Sequence, residues 1–525
     1  MKQVINMEKT ITIVGKGQES FITCREDESI LEALLRQNIY VSAVCGSRGT
    51  CGKCKIRLLE GNLEITQADE KKLKPDEIRK GYRLSCKAYP KEDCRIRLCF
   101  QGDEDFEVLT EAEVGAEQKK TESAYAIAID IGTTTLSMAL IGIDSGDTLH
   151  SYAAINRQRA YGSDVISRIQ ASNEGKKEEL QHSIQTDLLT GIRTIIKKSG
   201  IKKENVRQVA IGGNTTMGHL LMGYSCEHLG VFPFRPVNIG TITESFETVF
   251  KESDLLCPVT LLPGISTYVG GDILAGLLAC GFDENEKISL LIDLGTNGEM
   301  AIGNKDKILV TSTAAGPAFE GGNISCGMGS VAGAVCSVKL NEKKTLVRTI
   351  GNKPPIGLCG SGVIEIAAEL IRAGLVDETG LLDEAYFNEG FPLAETYDSG
   401  MILFTQKDVR EIQLAKSAVR AGIETLLLRY KVTYEQIDTV YLAGGFGFHL
   451  DQQKAIRIGL LPKAFEHKMK TVGNSSLAGA AKYILDPKAK ERTERILTVS
   501  MEVDLSTDLN FNEMYMEHMF FESDI

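Results

Sequence analysis

The sequence predicts a multidomain chain of the α+β and α/β classes, with a small N-terminal α+β domain, an acidic connector and a duplicated α/β domain. Three observations support this prediction. A glycine-rich loop with three cysteines lies among short alternating segments near the N-terminus, an acidic stretch follows, and a strand–carboxylate–Gly-Thr pattern then occurs twice. With 525 residues and 43% hydrophobic content, the chain can bury several cores, and a length of this order favours about three or four domains.

Four cysteines define a candidate site in the N-terminal domain. Cys45, Cys51 and Cys54 lie in the loop V-C-G-S-R-G-T-C-G-K-C, and Cys86 follows later, which gives the spacing C-x5-C-x2-C-x31-C. A [2Fe–2S] cluster needs four thiolates, and plant-type ferredoxins supply them as C-x4-C-x2-C…C. The loop glycines allow tight turns that aim backbone amides at sulfur. The spacing therefore predicts a [2Fe–2S] site, with a zinc site or a loop of reduced thiols as the alternatives.

The segments around this loop predict a compact mixed sheet with one helix. Residues 9–14 and 20–24 alternate as a strand pair, 29–37 have helical spacing of apolar residues, and 55–59 and 94–99 alternate like strands. The domain resembles the β-grasp fold of [2Fe–2S] ferredoxins. Its longer first cysteine spacing resembles that of adrenodoxin-type ferredoxins.

Composition narrows the classes of function. The net charge of −12, without a basic arm, disfavours nucleic acid as a partner, because such binding depends largely on Lys and Arg neutralising phosphates. No apolar run of signal-peptide or membrane-span length is present, so we expect no membrane partner and a cytoplasmic location. The 13 cysteines are then expected to be reduced thiols or metal ligands.

The rest of the chain contains an internal repeat. The segment A-I-A-I-D-I-G-T-T-T-L-S-M-A-L-I at 126–141 is matched by L-L-I-D-L-G-T-N-G-E-M-A-I at 290–302. A second pair, V-A-I-G-G-N-T-T and V-Y-L-A-G-G-F-G, runs from an apolar strand into a Gly-Gly turn in each half. These patterns predict the following division of the chain: a ferredoxin-type domain at 1–100, an acidic linker at 101–123, and the two halves of a duplicated domain at 124–285 and 286–525, the second with a C-terminal tail.

The duplicated part resembles the RNase H-like nucleotide-binding core shared by acetate and sugar kinases, heat-shock chaperone ATPases and actin. In such a core, Gly-Thr turns hold phosphate oxygens, and the preceding carboxylate positions Mg²⁺, usually through water. A Walker A loop and an early G-x-G-x-x-G are both absent from the sequence. The resemblance implies two phosphate turns and an adenosine-binding turn: Asp130 with Gly132, Thr133, Thr134 and Thr135; Asp293 with Gly295, Thr296, Asn297 and Gly298; and Gly444, Gly445, Phe446 and Gly447.

Three carboxylates are candidates for the hydrolytic residue, namely Asp130, Asp293 and Glu299. We favour Asp293, although each of the three could instead hold magnesium or orient its hairpin. Two further acidic residues, Asp272 and Glu320, lie in glycine clusters between the repeats and are the next candidates for mutation. The alternative is that these glycine clusters are simply turns at strand ends, where φ must be positive.

Two C-terminal segments carry expectations of a different kind. The periodicity of 408–428 predicts an amphipathic helix, on which Lys416 is a candidate to approach the nucleotide. The segment 512–521 is rich in methionine and aromatic residues on an acidic background. Such surfaces can bind partners, but we expect this one to pack against its own domain.

A [2Fe–2S] domain joined to an ATPase of this kind resembles the ATP-dependent reductive activators of corrinoid proteins. The matching motifs are the four cysteines, I-D-I-G-T-T-T, G-G-N-T-T-M, D-L-G-T-N-G-E, G-P-A-F-E-G, L-C-G-S-G and L-A-G-G-F-G. The resemblance implies reduction of Co(II) to Co(I) in a methyltransferase system, with an electron passing through the cluster, and ATP and Mg²⁺ as cofactors. It implies a corrinoid protein as partner and a ferredoxin or flavoprotein as electron donor, and it is compatible with a homodimer.

Three other functions stay open at this point. The first is an ATP-driven electron injector for another acceptor, like the activators of 2-hydroxyacyl-CoA dehydratases, which hold a [4Fe–4S] cluster with cysteines of the ATPase domain. Cys326 and Cys359 lie in glycine loops that suit such a role. The second is a small-molecule kinase with a redox-sensing module, which would form a phosphorylated product. The third is a redox sensor without catalysis, which would transfer no net electrons.

Overall fold

The computed structural model describes residues 8–522 except 15–18, 38, 40, 42–44, 100–121, 342–343, 397–399 and 449. The side chains of Phe446 and Phe448 are also not described. The predicted acidic linker therefore lies outside the described residues, apart from its last two positions. Within the described parts of the chain, no helix is long and apolar enough to span a bilayer.

A five-stranded mixed sheet forms the N-terminal domain, in the order β2-β1-β5-β3-β4. The pair β1 and β5 is parallel, and the other pairs are antiparallel. Its elements are β1 (Lys9–Val14), β2 (Glu19–Cys24), α1 (Ile30–Arg36), β3 (Lys55–Glu60), α2 (Gln67–Lys72), α3 (Pro75–Arg79), β4 (Tyr82–Leu84) and β5 (Cys94–Leu98).

The predicted ferredoxin fold is confirmed, with one difference in its helices. Ser29 caps α1 by accepting a hydrogen bond from Glu32 N, and apolar residues of this helix are buried under the sheet. Two short helices, α2 and α3, follow β3 where the sequence predicted none. Their segments, Q-A-D-E-K-K and P-D-E-I-R, are too short and too polar to show a helical apolar period.

The next unit, called the first lobe, is built on a six-stranded sheet in the order β10-β11-β9-β6-β7-β8. Its central strands are apolar along most of their length and buried, as expected for strands covered on both faces. Its elements are β6 (Tyr125–Ile131), β7 (Thr135–Gly142), β8 (Thr148–Ile155), α4 (Val165–Ala171), α5 (Lys177–Ser199), β9 (Val206–Gly213), α6 (Thr215–Met222), β10 (Ile242–Ser245), α7 (Phe246–Phe250), β11 (Pro258–Leu261) and α8 (Gly271–Cys280).

The second lobe has a six-stranded sheet in the order β21-β20-β12-β13-β14-β22, with two smaller sheets, β16-β15-β17 and β18-β19. Its elements are β12 (Ser289–Leu294), β13 (Gly298–Asn304), β14 (Lys307–Thr313), β15 (Ala334–Asn341), β16 (Lys344–Thr349), β17 (Gly357–Leu358), α9 (Gly360–Arg372), β18 (Phe391–Glu395), β19 (Met401–Phe404), α10 (Gln406–Tyr430), β20 (Thr439–Ala443), α11 (Gly445–Phe448), α12 (Gln452–Arg457), β21 (Met469–Gly473), α13 (Ser475–Leu485), α14 (Ala489–Val499), β22 (Ser500–Glu502) and α15 (Leu509–Glu517).

The two large sheets repeat one topology. In the first lobe, β6, β7 and β8 are antiparallel neighbours, and β9 and β11 continue the sheet parallel to β6. In the second lobe, β12, β13 and β14 take the antiparallel places, and β20 and β21 take the parallel ones. The duplicated actin- and sugar-kinase-like fold expected from the sequence repeat is therefore confirmed.

Helices α8 and α13 join the lobes through small residues. A Cβ added to Gly479 would lie 2.0 Å from Ala275 O, and one added to Gly276 would lie 2.8 Å from Ser475 Oγ. An apolar core surrounds this crossing and takes in residues of both sheets, including Ala128. Because the helix backbones touch, these glycines set the distance between the lobes.

The C-terminal tail covers the long helix α10. Lys416, on that helix, donates a hydrogen bond from Nζ to Phe520 O, and its Nζ lies 5.0 Å from the centroid of the Phe521 ring. The tail therefore packs on its own lobe, as expected. The expectation that Lys416 approaches the nucleotide is wrong, because its ammonium group is buried under this tail.

Candidate functional site

The four predicted cluster ligands come together as two pairs. Cys54 Sγ lies 3.3 Å from Cys86 Sγ, and both residues are buried. Cys45 and Cys51 share a side-chain hydrogen bond. In each pair, this hydrogen bond lowers the pKa of one thiol, Cys45 or Cys54, and raises the pKa of its partner. Each pair therefore has its two sulfur atoms within hydrogen-bonding distance of each other.

The pairs fit a two-iron cluster. No three His, Cys, Asp or Glu side chains among the described residues converge as a site for a single metal ion. A [2Fe–2S] cluster needs two pairs of thiolates instead, because its four ligands are divided between two irons. The residues 45–54, called the cluster loop, can wrap such a group because Gly46, Gly49 and Gly52 have φ values of +59°, +76° and +70°.

The first predicted phosphate turn, 132–135, joins β6 to β7. Gly132 N donates to Thr135 O at 3.0 Å and closes the turn. Two asparagines from other elements hold it in place: Asn156 Nδ2 donates to Gly132 O at 2.9 Å, and Asn214 Nδ2 donates to Thr133 Oγ1 at 3.0 Å. The turn is therefore fixed by partners before any ligand contacts it.

The second predicted phosphate turn, 295–298, joins β12 to β13 in the same way. Gly295 N donates to Asn297 O at 3.1 Å. Gly298 begins β13, in which Glu299 stands directly opposite Asp293 across the hairpin. Two carboxylates facing each other in a buried hairpin repel, so this arrangement suits a site that receives a cation.

Glu320 connects the two turns. Thr134 Oγ1 donates to Glu320 Oε2 at 2.8 Å, and Thr296 Oγ1 donates to the same oxygen at 2.9 Å. The two threonines belong to different lobes, so the predicted phosphate turns face each other across one cleft. The two threonine hydroxyls, which here donate to a carboxylate oxygen, are also suited to donate hydrogen bonds to phosphate oxygens.

Four carboxylates cluster at this cleft: Asp130, Asp272 and Asp293 are half-buried, and Glu299 is buried. The pKa values of Asp272 and Asp293 are both raised to about 7, chiefly by loss of solvation and then by neighbouring negative charge, from Asp130 at Asp272 and from Asp272 and Asp130 at Asp293. Burial also raises the pKa of Asp130 and holds that of Glu299 well above its usual range, with Asp272 and Asp293 adding to the effect at Glu299. A divalent cation bound directly or through water would offset this repulsion.

The Gly-Gly turn of the second lobe borders the same cleft. Gly444 has a φ of +88°, and a Cβ added there would lie 2.8 Å from Asp293 Oδ1. The residues Gly445 to Gly447 start α11 directly after β20. The role of this turn in holding adenosine stays a prediction, as does the choice of Asp293 among the hydrolytic candidates.

Asn474 is a residue of the cleft that the sequence reasoning missed. It caps α13 by accepting a hydrogen bond from Leu477 N, and its Nδ2 donates to Asp130 Oδ2 at 2.8 Å. A signal was present, since Gly473-Asn474-Ser475-Ser476 repeats the G-N-T-T sequence of the first lobe. Asn214, in that first copy, likewise caps α6 and reaches a phosphate turn.

The cluster loop contacts both lobes. A Cβ added to Gly46 would lie 2.5 Å from Tyr161 O in the first lobe. Lys53 Nζ donates to Gly327 O of the second lobe at 3.3 Å, and Lys53 N donates to Cys51 Sγ at 3.5 Å. The ferredoxin-type domain thus has its cluster loop against the two-lobed unit.

The two cysteines considered for a cluster inside the second lobe make local packing contacts. Cys359 is buried, and its thiol donates to Val335 O at 3.2 Å and contacts Ser361 Oγ. Cys326 is half-buried, and its carbonyl oxygen accepts a hydrogen bond from Leu358 N at 2.8 Å. These contacts are typical of packing, and they favour the cluster loop as the iron–sulfur site.

Fold and site together define a class: an iron–sulfur protein in which a ferredoxin-type domain is joined to a two-lobed nucleotide-binding unit. Three family descriptions match consecutive parts of the chain. Residues 13–91 match the 2Fe-2S iron-sulfur cluster binding domain, 125–285 match the RACo middle region, and 287–524 match the C-terminal domain of RACo, the ASKHA domain.

Known proteins with similar chains carry related descriptions. The corrinoid activation enzyme RamQ of Eubacterium limosum is 34% identical over 434 residues, which are 78% of this chain and 72% of that protein. The [Co(II) methylated amine-specific corrinoid protein] reductase of Methanosarcina barkeri is 27% identical over 432 residues, covering 75% and 76% of the two chains. A solved reductive activator for corrinoid, iron-sulfur protein is 30% identical, with a TM-score of 0.70 and coverage of 98% of both chains. The chain belongs to the RACo family of corrinoid reductive activators.

Proposed function

We propose that this protein uses ATP to reduce the Co(II) form of a corrinoid protein to Co(I) in a methyltransferase system. One electron passes from the reduced ferredoxin-type domain to Co(II), and an external donor, such as a ferredoxin or a flavoprotein, re-reduces the domain. The observation that carries the proposal is the presence, in one chain, of two thiol pairs in a ferredoxin fold and two facing threonine turns in an ATPase fold.

The reduction of Co(II) is joined to the use of ATP because the electron transfer alone is energetically unfavourable. A one-electron transfer loses a factor of ten in its equilibrium constant for each ~59 mV by which the donor is too weak. A donor a few hundred millivolts short would therefore leave almost all cobalt as Co(II). ATP binding and hydrolysis can supply the difference, provided that the nucleotide states bind the corrinoid protein with different affinities.

Each part of the chain has a defined task in this proposal. The cysteines of the cluster loop hold a [2Fe–2S] cluster, which supplies a one-electron carrier when it is bound. Thr134 and Thr296 hold phosphate oxygens from the two sides of the cleft. Asp130 and Asp293 position Mg²⁺, with Asp293 also our candidate for the hydrolytic residue. We further propose a cytoplasmic location.

The test follows cobalt directly. The protein is purified without oxygen and mixed with a Co(II) corrinoid protein and a mild reductant, and the visible spectrum is recorded with and without Mg-ATP. We expect Co(I) only when Mg-ATP is present. Cys51→Ala and Asp293→Ala should each abolish it, whereas Cys99→Ala, at an exposed thiol outside the loop, and Asp306→Ala, at an exposed carboxylate, should not.

Two outcomes would contradict the proposal. Absence of Co(I) under every condition, with an intact cluster and measurable ATP turnover, would favour a different electron acceptor. A phosphorylated small-molecule product formed at the rate of ATP consumption would favour the kinase alternative.

A further inference from the structure

The segment 317–328 links the predicted phosphate turns to the cluster loop. At one end, Glu320 accepts hydrogen bonds from Thr134 and Thr296. At the other end, Gly327 O accepts the hydrogen bond from Lys53 Nζ. Only seven positions separate Glu320 from Gly327, so the two sites lie at opposite ends of one short segment, which we call the bridging segment.

The bridging segment is folded tightly on itself. Gly321 N donates to Ala318 O at 3.0 Å, and Gly327 N donates to Ile324 O at 3.0 Å. A Cβ added to Gly327 would lie only 2.0 Å from Gly321 O. Because its two ends are in backbone contact, a displacement of Glu320 is passed on to Gly327 rather than absorbed between them.

Glu320 and a bound polyphosphate compete for the same two donors. Each threonine hydroxyl has a single hydrogen to donate, and both now donate to Glu320 Oε2. A phosphate oxygen that takes these hydrogen bonds must therefore displace the carboxylate, and like charge adds to the displacement. The arrangement with Glu320 on the threonines and the arrangement with phosphate on the threonines exclude each other.

The other end of the segment acts on the cluster loop. The Lys53 side chain is bonded to Gly327, and the Lys53 backbone N–H is bonded to the thiol of Cys51. A change at Gly327 therefore reaches a predicted cluster ligand through a single residue. The two ends together give a physical connection between nucleotide phosphates and the iron–sulfur loop, with no step through solvent.

We propose that the bridging segment is a nucleotide-operated latch on the ferredoxin-type domain. ATP phosphates displace Glu320 from Thr134 and Thr296, the segment shifts, and Gly327 releases Lys53, which frees the cluster loop to meet the corrinoid partner. The inference rests on the proposed function in taking ATP as the ligand. By thermodynamic reciprocity, loss of the Lys53 contact must then tighten nucleotide binding by the same factor by which nucleotide weakens that contact.

Hydrogen–deuterium exchange of the full-length holoprotein tests the latch, with Mg-AMPPNP as the probe. We expect the nucleotide to slow exchange in peptides covering 130–135 and 293–298, and to speed exchange in peptides covering 45–55 by about fivefold or more. In Glu320→Ala, the first effect should stay and the second should disappear. Two results would overturn the proposal. One is that Mg-AMPPNP still speeds exchange at 45–55 in Glu320→Ala. The other is that Mg-AMPPNP protects the phosphate turns of the wild type but leaves exchange at 45–55 unchanged.

A second measurement is independent of whether Glu320→Ala folds and binds nucleotide. Lys53→Met should lower the Kd for Mg-AMPPNP by about fivefold or more. Lys91→Met removes a lysine of the same domain that forms an exposed ion pair with Glu64, and its Kd should stay within about twofold of the wild type. Equal Kd values for both variants and the wild type would overturn the latch. Neither measurement involves cobalt, so a failed corrinoid reduction and a failed latch are distinguishable.

Discussion

Asn474 Nδ2 donates a 2.8 Å hydrogen bond to Asp130 Oδ2, and this contact joins the second lobe to the first at the base of the cleft. Asn474 is also the N-cap of α13, where it accepts a hydrogen bond from Leu477 N. One side chain thus fixes the start of an inter-lobe helix and orients a carboxylate that we assign to Mg²⁺. Charge-assisted hydrogen bonds of this kind orient as well as stabilise.

Substitution of Asn474 separates these two roles. Asn474→Ser keeps a good N-cap but is too short to orient Asp130, whereas Asn474→Ala loses both. We expect Asn474→Ser to lower ATP turnover by about tenfold or more, since a hydrogen bond to a charged group contributes about 1.5–3 kcal/mol. Asn474→Ala should show the same kinetic loss and an additional ~1 kcal/mol loss in the free energy of unfolding. Steady-state turnover and urea unfolding measure the two effects, and unchanged turnover in both variants would remove Asn474 from the site.

The carboxylates of the cleft predict a dependence of stability on pH. Burial raises the pKa of Asp272 and Asp293 to about 7. Since these values lie above those of the unfolded chain, the folded protein binds more protons between about pH 4 and pH 7, and the free energy of unfolding falls as pH rises through that window. We expect Tm in EDTA to fall across it, and Mg²⁺ to restore Tm at pH 7.5.

Asp293→Asn provides the matched test of that assignment. The variant keeps the shape of the side chain but cannot ionise, so it should show a smaller fall in Tm and a smaller response to Mg²⁺. A fall in Tm identical to that of the wild type would mean that other groups determine the pH dependence.

The crossing of α8 and α13 predicts a steric effect of one methyl group. Gly479→Ala would place a Cβ 2.0 Å from Ala275 O, which should cost about 1–3 kcal/mol in the free energy of unfolding and weaken Mg-ATP binding by separating the lobes. Gly218→Ala is the control, because it lies in helix α6 with nothing within 4 Å of the added Cβ. That change should stabilise by about 0.5–1 kcal/mol. Denaturant unfolding measures the stability of both variants, and nucleotide titration measures their affinity for Mg-ATP. Equal stability of Gly479→Ala and Gly218→Ala would show that the two helices can move apart without cost.

Lys416 predicts an effect at alkaline pH. Burial lowers the pKa of this lysine from 10.5 to about 7. Between these values the unfolded chain binds more protons, so the contribution of Lys416 to the free energy of unfolding rises with pH. Lys416→Met should remove that rise and leave the Kd for Mg-ATP within about twofold. Urea unfolding at pH 7.5 and pH 9.5 measures the first effect. A large loss of nucleotide affinity in Lys416→Met would instead indicate that Lys416 contributes to nucleotide binding.

Local sequence was sufficient to predict the strands and turns that carry the site. Asp130 and Asp293 were predictable because each ends a continuous apolar strand and precedes a Gly-Thr turn, a pattern that depends on neighbours in sequence. The ferredoxin domain was predictable for the same reason, since its ligand spacing and strand alternation are local.

Contacts between distant segments were not predictable in this way. The bond between Thr134 and Glu320 joins residues 186 positions apart, and that between Asn474 and Asp130 spans 344 positions. Asn474 follows β21, whose sequence M-K-T-V-G is half exposed and lacks the apolar run that marked the other strands. Lys416 was misplaced because helical periodicity identifies a buried face without showing what covers it.

The most direct test of the account is a count of electrons in a single turnover. The holoprotein is reduced, freed of excess reductant and mixed anaerobically with the Co(II) corrinoid protein, while cluster oxidation and Co(I) formation are followed in one stopped-flow record. We predict one Co(I) per oxidised cluster when Mg-ATP is present, and neither change without it. Formation of Co(I) at the same rate without Mg-ATP, or cluster oxidation that yields no Co(I), would contradict ATP-dependent reduction through the iron–sulfur domain.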